Sequence, residues 1–196
     1  MAASGRMLAR KDDKKWAYRV MRNSGYSYNR NPSQDSYLSE TNAGPCFLCS
    51  KKHFLKIKFE EEKWLERCMY AQGDDQVMYY KMYCNGYKQL TLFNTGIIHL
   101  DAGTTLSSAE KEKNKIYSDI HFKLIFWHRF IYSPEKNILL KLWSFLCILY
   151  TMLFTLLISL VKVDFTMYGV KVSALRAATD FLRSKEYSNL AKVSKL

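Results

Sequence analysis

Four cysteines in the first half of the chain have the residue type of a metal site, and two of them also have the spacing. Cys46 and Cys49 are separated by two residues, so a tight turn would bring both sulfurs to one side. Cys68 and Cys84 could complete a tetrahedral zinc site with them. Because a second closely spaced pair is missing, a redox disulfide between Cys46 and Cys49, or ordinary buried thiols, remain as alternatives.

Other patterns of catalytic residues are weak in this sequence. Nucleophilic catalysis needs a base beside a serine or cysteine, and the chain has only four histidines. It contains no nucleophile elbow, phosphate-binding loop or HExxH motif. The glutamate run Glu60–Glu62 is typical of a solvated face. We therefore predict that the protein is not an enzyme.

The cysteines fall in residues 46–103, which we predict to be a small β-rich domain of the α+β class. Gln76–Cys84 and Tyr87–Phe93 are rich in residues that suit a pleated surface, and Asn85-Gly86 separates them. This dipeptide favours a β-hairpin, because a type I′ turn needs positive φ at both central residues. The same domain is predicted to contain strands at His53–Phe59 and Ile97–Leu100 and a helix at Glu60–Met69.

A run of 20 residues without charge, Leu142–Val161, predicts one membrane-spanning helix. Such a helix is about 30 Å long, which matches the hydrocarbon core of a bilayer. Lys141 and Lys162 bracket the run, and Trp143 lies where an interfacial aromatic residue is expected. With its flanks, the predicted transmembrane segment covers residues 138–162.

Small and hydroxylated residues recur at every fourth position of the predicted span, at Cys147, Thr151, Thr155 and Ser159. On a helix these residues form one narrow stripe, which permits close approach of a second helix and hydrogen bonds to it. The stripe predicts self-association or packing against another subunit. The alternative is that each hydroxyl bonds back to a carbonyl of its own helix.

The chain carries a net charge of +12, and its basic excess is concentrated outside the predicted domain. Residues 1–45 have few aliphatic side chains and are predicted to be a basic, largely disordered tail. Arginines and tyrosines in this tail could stack on unpaired bases, although disordered polar tails have the same composition. Those residues are Arg22, Tyr26, Tyr28 and Arg30.

Two segments flank the predicted span. Residues 104–136 form a connector with an amphipathic helix near 116–132, which would lie either in the membrane interface or in the core of the soluble domain. Residues 163–196 are predicted to be a basic, amphipathic C-terminal helix. The sequence ends in Ser194-Lys195-Leu196, a tripeptide that a peroxisomal import receptor recognises, although that signal normally serves soluble cargo.

The predicted architecture is thus a small β-rich domain, a single transmembrane helix and an amphipathic C-terminal helix. It favours a single-pass structural or interaction subunit or adaptor, either cellular or a viral accessory protein. The alternative is a membrane-tethered zinc-binding module that contacts nucleic acid or a partner protein. Free or metal-bound thiols favour a cytosolic position for the N-terminal domain, with a peroxisomal or mitochondrial membrane as the alternative location.

Overall fold

The computed structural model describes residues 9–10, 19–29, 36–41, 47–68, 73–92, 99–100 and 108–193, and the chain is mainly helical over these ranges. The longest helices lie in the second half of the chain. Two 3₁₀ helices, Phe59–Glu61 and Lys63–Arg67, and a π-helix, Trp127–Tyr132, accompany the α-helices. The α-helices are α1 (Lys51–Lys56), α2 (Asp74–Cys84), α3 (Ser108–Phe126), α4 (Ile138–Val161), α5 (Phe165–Leu182) and α6 (Lys185–Ser188).

The strands are short and form three separate antiparallel pairs. A tight turn with Gly25 at φ +76° joins the second and third strands. In another pair, Leu38 lies opposite Leu90. The strands are β1 (Ala9–Arg10) with β6 (His99–Leu100), β2 (Arg19–Met21) with β3 (Ser27–Asn29), and β4 (Ser36–Ser39) with β5 (Gln89–Leu92).

The prediction of a β-rich domain at 46–103 is wrong. Gln76–Cys84, predicted as a strand, lies in the helix α2. The segment is buried on almost every side, from Gln76 to Met82, so its apolar residues show no helical period. His53–Phe59 is likewise helical, because α1 and the first 3₁₀ helix occupy it. Glu60–Met69, predicted as an α-helix, contains the two 3₁₀ helices, and Met69 lies outside the described residues.

The predicted hairpin at Asn85-Gly86 is also wrong, because the dipeptide ends α2. Gly86 has φ +78°, but Asn85 has φ −86°, so the type I′ geometry is absent. The amides of Gly86 and Tyr87 donate to the carbonyls of Tyr83 and Met82, at 2.9 and 3.1 Å, which is the Schellman pattern of a helix end. A helix end and a hairpin both favour glycine for its positive φ, and the dipeptide alone does not separate them.

The core of the protein is built around α3 and the π-helix that continues it. Phe122, Ile125, Phe126 and Phe130 have no exposed surface, and Trp64 packs parallel to Phe122 at 5.8 Å between ring centroids. Of the two alternatives for residues 116–132, the structure therefore places them in the core.

Helix α5 returns along α3 and packs against it through small residues. Ala174 and Ala178 are fully buried, and their size lets the two helices approach closely. Phe181 completes this contact. The turn between α4 and α5 places Val163 at φ +55°, and the side chain of Asp164 caps α5 by accepting from the amide of Met167 at 3.0 Å.

Candidate membrane interface

Helix α4 is the one helix, among the described residues, that is long and apolar enough to cross a membrane. The prediction of a single long apolar helix is therefore confirmed. The side chain of Asn137 begins it by accepting from the amides of Leu139 and Leu140 at 2.9 and 3.3 Å.

One side of α4, here called the outward face, is apolar and uncovered. Its residues share an orientation at 100° per residue and are between 46% and 75% exposed. Single exposed leucines are ordinary on protein surfaces, but a contiguous apolar strip along a 24-residue helix is not. The outward face consists of Leu139, Leu142, Trp143, Leu146, Tyr150, Leu153, Leu157 and Val161.

The opposite side, here called the inner face, contacts the rest of the chain. Ile148 and Met152 join the main core, where they are 3% and 7% exposed. Near the start of α4, the indole Nε1 of Trp127 donates to Oγ of Ser144 at 2.8 Å. Near its end, the ammonium of Lys171 in α5 donates to Oγ of Ser159 at 2.7 Å. The helix is thus attached along most of its length.

The predicted stripe of small residues borders this inner face. Thr151 and Thr155 donate to carbonyls of their own helix, those of Cys147 and Thr151, at 2.7 and 2.8 Å. Ser159 instead contacts Lys171 of α5, so it is used within the chain. Packing of the stripe against a second subunit stays a prediction.

Cys147 and Thr151 also line an open cavity of about 430 Å³ between α4 and the turn of the β2–β3 hairpin. Tyr150 of α4 and residues 21–24 of the hairpin complete the lining. Oγ of Ser144 donates to the carbonyl of Asn23 at 2.7 Å and links α4 to the hairpin turn. The mixed lining gives this cavity no specific chemistry of its own.

Basic and aromatic residues mark the ends of α4. The ammonium of Lys141 lies 5.0 Å from the ring centre of Tyr132, and Lys162 is exposed beyond the last turn. Trp143 is 56% exposed on the outward face. This is the distribution that suits the boundary between lipid tails and headgroups.

A buried ion network around Glu62 lies in the domain to which α4 is attached. Arg129 donates to both oxygens of Glu62, at 2.7 and 2.8 Å, and Lys81 donates to Glu62 Oε1 at 2.8 Å. Trp64 adds an indole hydrogen bond to Oε2 at 2.6 Å. Burial by itself would raise the pKa of Glu62, but the two cations hold that pKa below its ordinary value.

The residue patterns of the sequence did not predict this network. The expectation that Glu60–Glu62 is a solvated run is wrong at Glu62, which is 2% exposed. Its neighbour Glu61 does lie at the surface and pairs with Lys58 at 3.3 Å. A weak signal was present, because Trp64 follows Glu62 at short range and a buried tryptophan needs an acceptor for its N–H group.

The structure does not assemble the predicted metal ligands. Among the described residues, no three His, Cys, Asp or Glu side chains are grouped as a metal would require. Cys49 is exposed, whereas Cys84 is buried in the main core and Cys68 packs at its edge. Burial, aided by Asp74, raises the pKa of the Cys68 thiol to about 11, which disfavours the thiolate. Cys46 lies outside the described residues, and the zinc site stays a prediction.

The structure describes only some of the residues predicted to bind nucleic acid, and it does not describe the C-terminal tripeptide. Tyr26 is half-buried, with the ammonium of Lys123 at 5.1 Å from its ring centre, so this ring is not free to stack on a base. Arg22 is exposed and Arg30 lies outside the described residues, as does the side chain of Tyr28. The C-terminal tripeptide Ser194-Lys195-Leu196 also lies outside them.

No protein-family model, curated protein or solved structure matches this chain. The function is therefore inferred from the residues of this chain alone.

Proposed function

We propose that this protein is a membrane-anchored interaction subunit, held to the bilayer by the outward face of α4. The observation that carries the proposal is the uncovered apolar strip on a helix whose other side is fixed to a folded domain. Exposure of such a strip to water is unfavourable, whereas contact with lipid tails or with another apolar surface would stabilise the protein. Lys141, Lys162 and Trp143 favour lipid.

The packing of α5 favours a helix that lies along the bilayer surface. If α4 crossed the membrane, α5 would begin on the far side and lose its contacts with α3, including the burial of Phe181. Insertion of the twelve Leu, Ile, Phe and Val residues of 142–161 would contribute roughly 4–7 kcal/mol. Each large apolar side chain removed from the core would cost about 1.5–3 kcal/mol. A docked helix keeps the core contacts and still places the apolar residues of its outward face in lipid.

The compartment is part of the proposal as well. Cys49, Cys68 and Cys84 are free thiols, which suits a domain on the cytosolic, reducing side. The terminal Ser-Lys-Leu raises a peroxisomal membrane as the alternative. Adding one residue after Leu196 separates the two, since an import receptor reads only a free C-terminal tripeptide.

Membrane anchoring is tested by fractionating cells that express the full chain and extracting the membranes with alkaline carbonate. We expect the protein to stay in the membrane pellet. The variant with Leu146→Lys and Leu153→Lys, both on the outward face, should lower the pelleted fraction at least about tenfold, because each substitution replaces an apolar contact with lipid, worth about 1.5–3 kcal/mol, by a charge. A control with Ser188→Lys and Asn189→Lys adds the same charge at exposed positions of the C-terminal region.

Orientation is tested with a membrane-impermeant maleimide on intact and opened vesicles. Cys49, which is exposed, reports on the domain, and Lys162→Cys reports on the far end of α4. Labelling of both from the same side supports the surface arrangement, whereas labelling from opposite sides means that α4 crosses the bilayer. A soluble wild-type protein in the fractionation would refute the anchoring proposal.

A further inference from the structure

A second uncovered surface, formed by α1 and the residues before it, combines apolar and basic side chains. Leu48 is fully exposed, Leu55 is 57% exposed and Phe47 is 43% exposed. Residues 47–58 contain four lysines and no acidic residue. We call the set Phe47, Leu48, Lys51, Lys52, Leu55 and Lys56 the α1 surface.

The α1 surface is held in place by the smaller of two cores. Ile57 is 2% exposed among Met78, Tyr79 and Met82 of α2, and Phe54 packs against the same cluster. At 100° per residue, Leu55 projects away from Phe54 and lies between Lys51 and Lys52. The exposure of Leu55 is therefore a property of a fixed helix, and the preceding segment with Leu48 is attached through Phe47, whose ring centroid lies 5.9 Å from that of Tyr79.

Helix α2 separates the α1 surface from the membrane helix. Its residues Val77, Tyr80 and Cys84 face the main core, which includes Ile148 and Met152 of α4. Its residues Met78, Tyr79 and Met82 face α1. At 100° per residue these two sets lie on opposite sides of α2. The α1 surface therefore points away from the helix proposed to contact lipid.

We propose that the α1 surface docks an acidic amphipathic segment of a partner protein. Leucine and phenylalanine side chains offer apolar contact area, and the surrounding lysines select a partner whose own apolar residues are flanked by aspartate or glutamate. The position on the far side of α2 favours a protein over the bilayer that holds α4. The proposal deepens the interaction role above, and rests on the proposed function only for the side of the membrane at which the partner is met.

The test uses the full chain in detergent micelles and a labelled synthetic peptide of alternating Leu/Phe and Asp/Glu pairs. Fluorescence anisotropy should show saturable binding that weakens as salt increases. Reversing Lys51, Lys52 and Lys56 to Glu should weaken binding at least about tenfold, since charge complementarity selects the partner. Leu48→Ser with Leu55→Ser should weaken it about tenfold through lost apolar contact.

A control variant reverses three exposed lysines elsewhere, Lys113, Lys185 and Lys192. It should bind like the wild type, because the net charge changes equally but the α1 surface does not. An equal loss in this control would mean non-specific attraction to a basic protein and would overturn the proposal. So would the absence of saturable binding.

A further arm adds phosphatidylserine vesicles to the chain held in phosphatidylcholine nanodiscs. Vesicle binding that depends on Lys51, Lys52 and Lys56, without peptide binding, would make this a second lipid contact and would also overturn the proposal. Because the peptide assay in micelles does not require a membrane, its failure is distinct from failure of the carbonate extraction.

Discussion

Helices α2 and α4 are both rich in large apolar residues, but their surroundings differ. The first is buried on two opposite sides, against the main core and against α1. The second is buried on one side only, and its outward face is uncovered. Helix α2 is thus enclosed by other parts of the chain, whereas no described residue covers the outward face of α4.

The two helices also differ in the contacts that lysine side chains make with them. Lys81 of α2 reaches the carboxylate of Glu62 in the interior, where both side chains are at most 10% exposed. On the inner face of α4, the ammonium of Lys171 donates to the neutral Ser159 and to the carbonyl of Thr155, with the carboxylate of Asp164 nearby but not hydrogen-bonded to it among the described contacts. The position of α2 therefore depends on a buried ion pair, and the position of α4 depends on weaker contacts.

The largest expected effect on folding follows from this difference. Glu62→Ala leaves the cations of Lys81 and Arg129 buried without their carboxylate, which should lower the free energy of unfolding by about 3–5 kcal/mol. Denaturation of the full chain in micelles, followed by circular dichroism, measures the loss. Glu61→Ala, at the partly exposed neighbour, should change stability by less than about 1 kcal/mol.

For α4, the matched substitution is Lys171→Met, which removes the hydrogen bonds to Ser159 and Thr155. It should cost about 1 kcal/mol, since both acceptors are neutral and Lys171 itself is only partly buried. A cost as large as that of Glu62→Ala would contradict the contrast between the two helices.

The next effect on stability concerns Gly73 and Gly86, the glycines at the two ends of α2. Gly73 has φ +94°, and an added Cβ would lie 2.3 Å from ring carbons of Phe122. Gly73→Ala should therefore lower the unfolding free energy by about 2–4 kcal/mol, through the clash and the left-handed backbone. Gly86 has φ +78° with nothing within 4 Å of such a Cβ, so Gly86→Ala should cost only about 1–2 kcal/mol. Equal losses would mean that contact with Phe122 does not position α2.

The sequence was sufficient to predict α4, because an apolar run of twenty residues is much longer than a typical strand and, in lipid, must satisfy its backbone hydrogen bonds within one helix. A long apolar run needs its backbone hydrogen bonds satisfied locally, and no periodic pattern has to be read. The charges at Lys141 and Lys162 also marked its ends correctly to within a few residues. What could not be predicted is that its inner face contacts the core and its outward face does not.

The sequence was insufficient for α2 for the opposite reason. When Val77 and Tyr80 face one core and Met78 and Tyr79 face another, apolar residues surround the helix and no period remains. Aromatic and β-branched residues then indicate a strand by composition alone. The buried network was hidden in the same way, since Glu62 and Arg129 are 67 positions apart and each resembles a surface residue.

The smallest expected effect is on the pH dependence of stability. It should differ between α2 and the contact of α3 with the C-terminal helices. Burial lowers the pKa of His121, which faces the backbone of Ala174 in α5 with Arg67 nearby. Burial, with Lys141 nearby, also lowers the pKa of His128, whose Nδ1 lies 2.6 Å from the Tyr187 hydroxyl. Both histidines thus lie where α3 meets the C-terminal helices, and α2 carries none.

A lowered folded pKa means that the unfolded chain binds more protons at acid pH. Stability is therefore retained above the unfolded histidine pKa of about 6.5 and is lost as the pH falls below it. Asp119 acts in the opposite direction, because burial raises its pKa, so the two histidines must be isolated by substitution. Replacing His121 and His128 by Gln should flatten the loss of Tm between pH 7 and pH 5.

Hydrogen exchange locates the change. At pH 5, amides of α5 should exchange faster than at pH 7 after correction for the intrinsic rate. Amides of α2 should keep their protection, since the exposed His53 is the one histidine at the core between α1 and α2 among the described side chains. In the doubly substituted protein the acceleration at α5 should disappear. If α2 lost protection before α5, acid would act first on the Glu62 network and not on the two histidines. The contact between α3 and α5 would then not be the less stable part of the molecule at low pH.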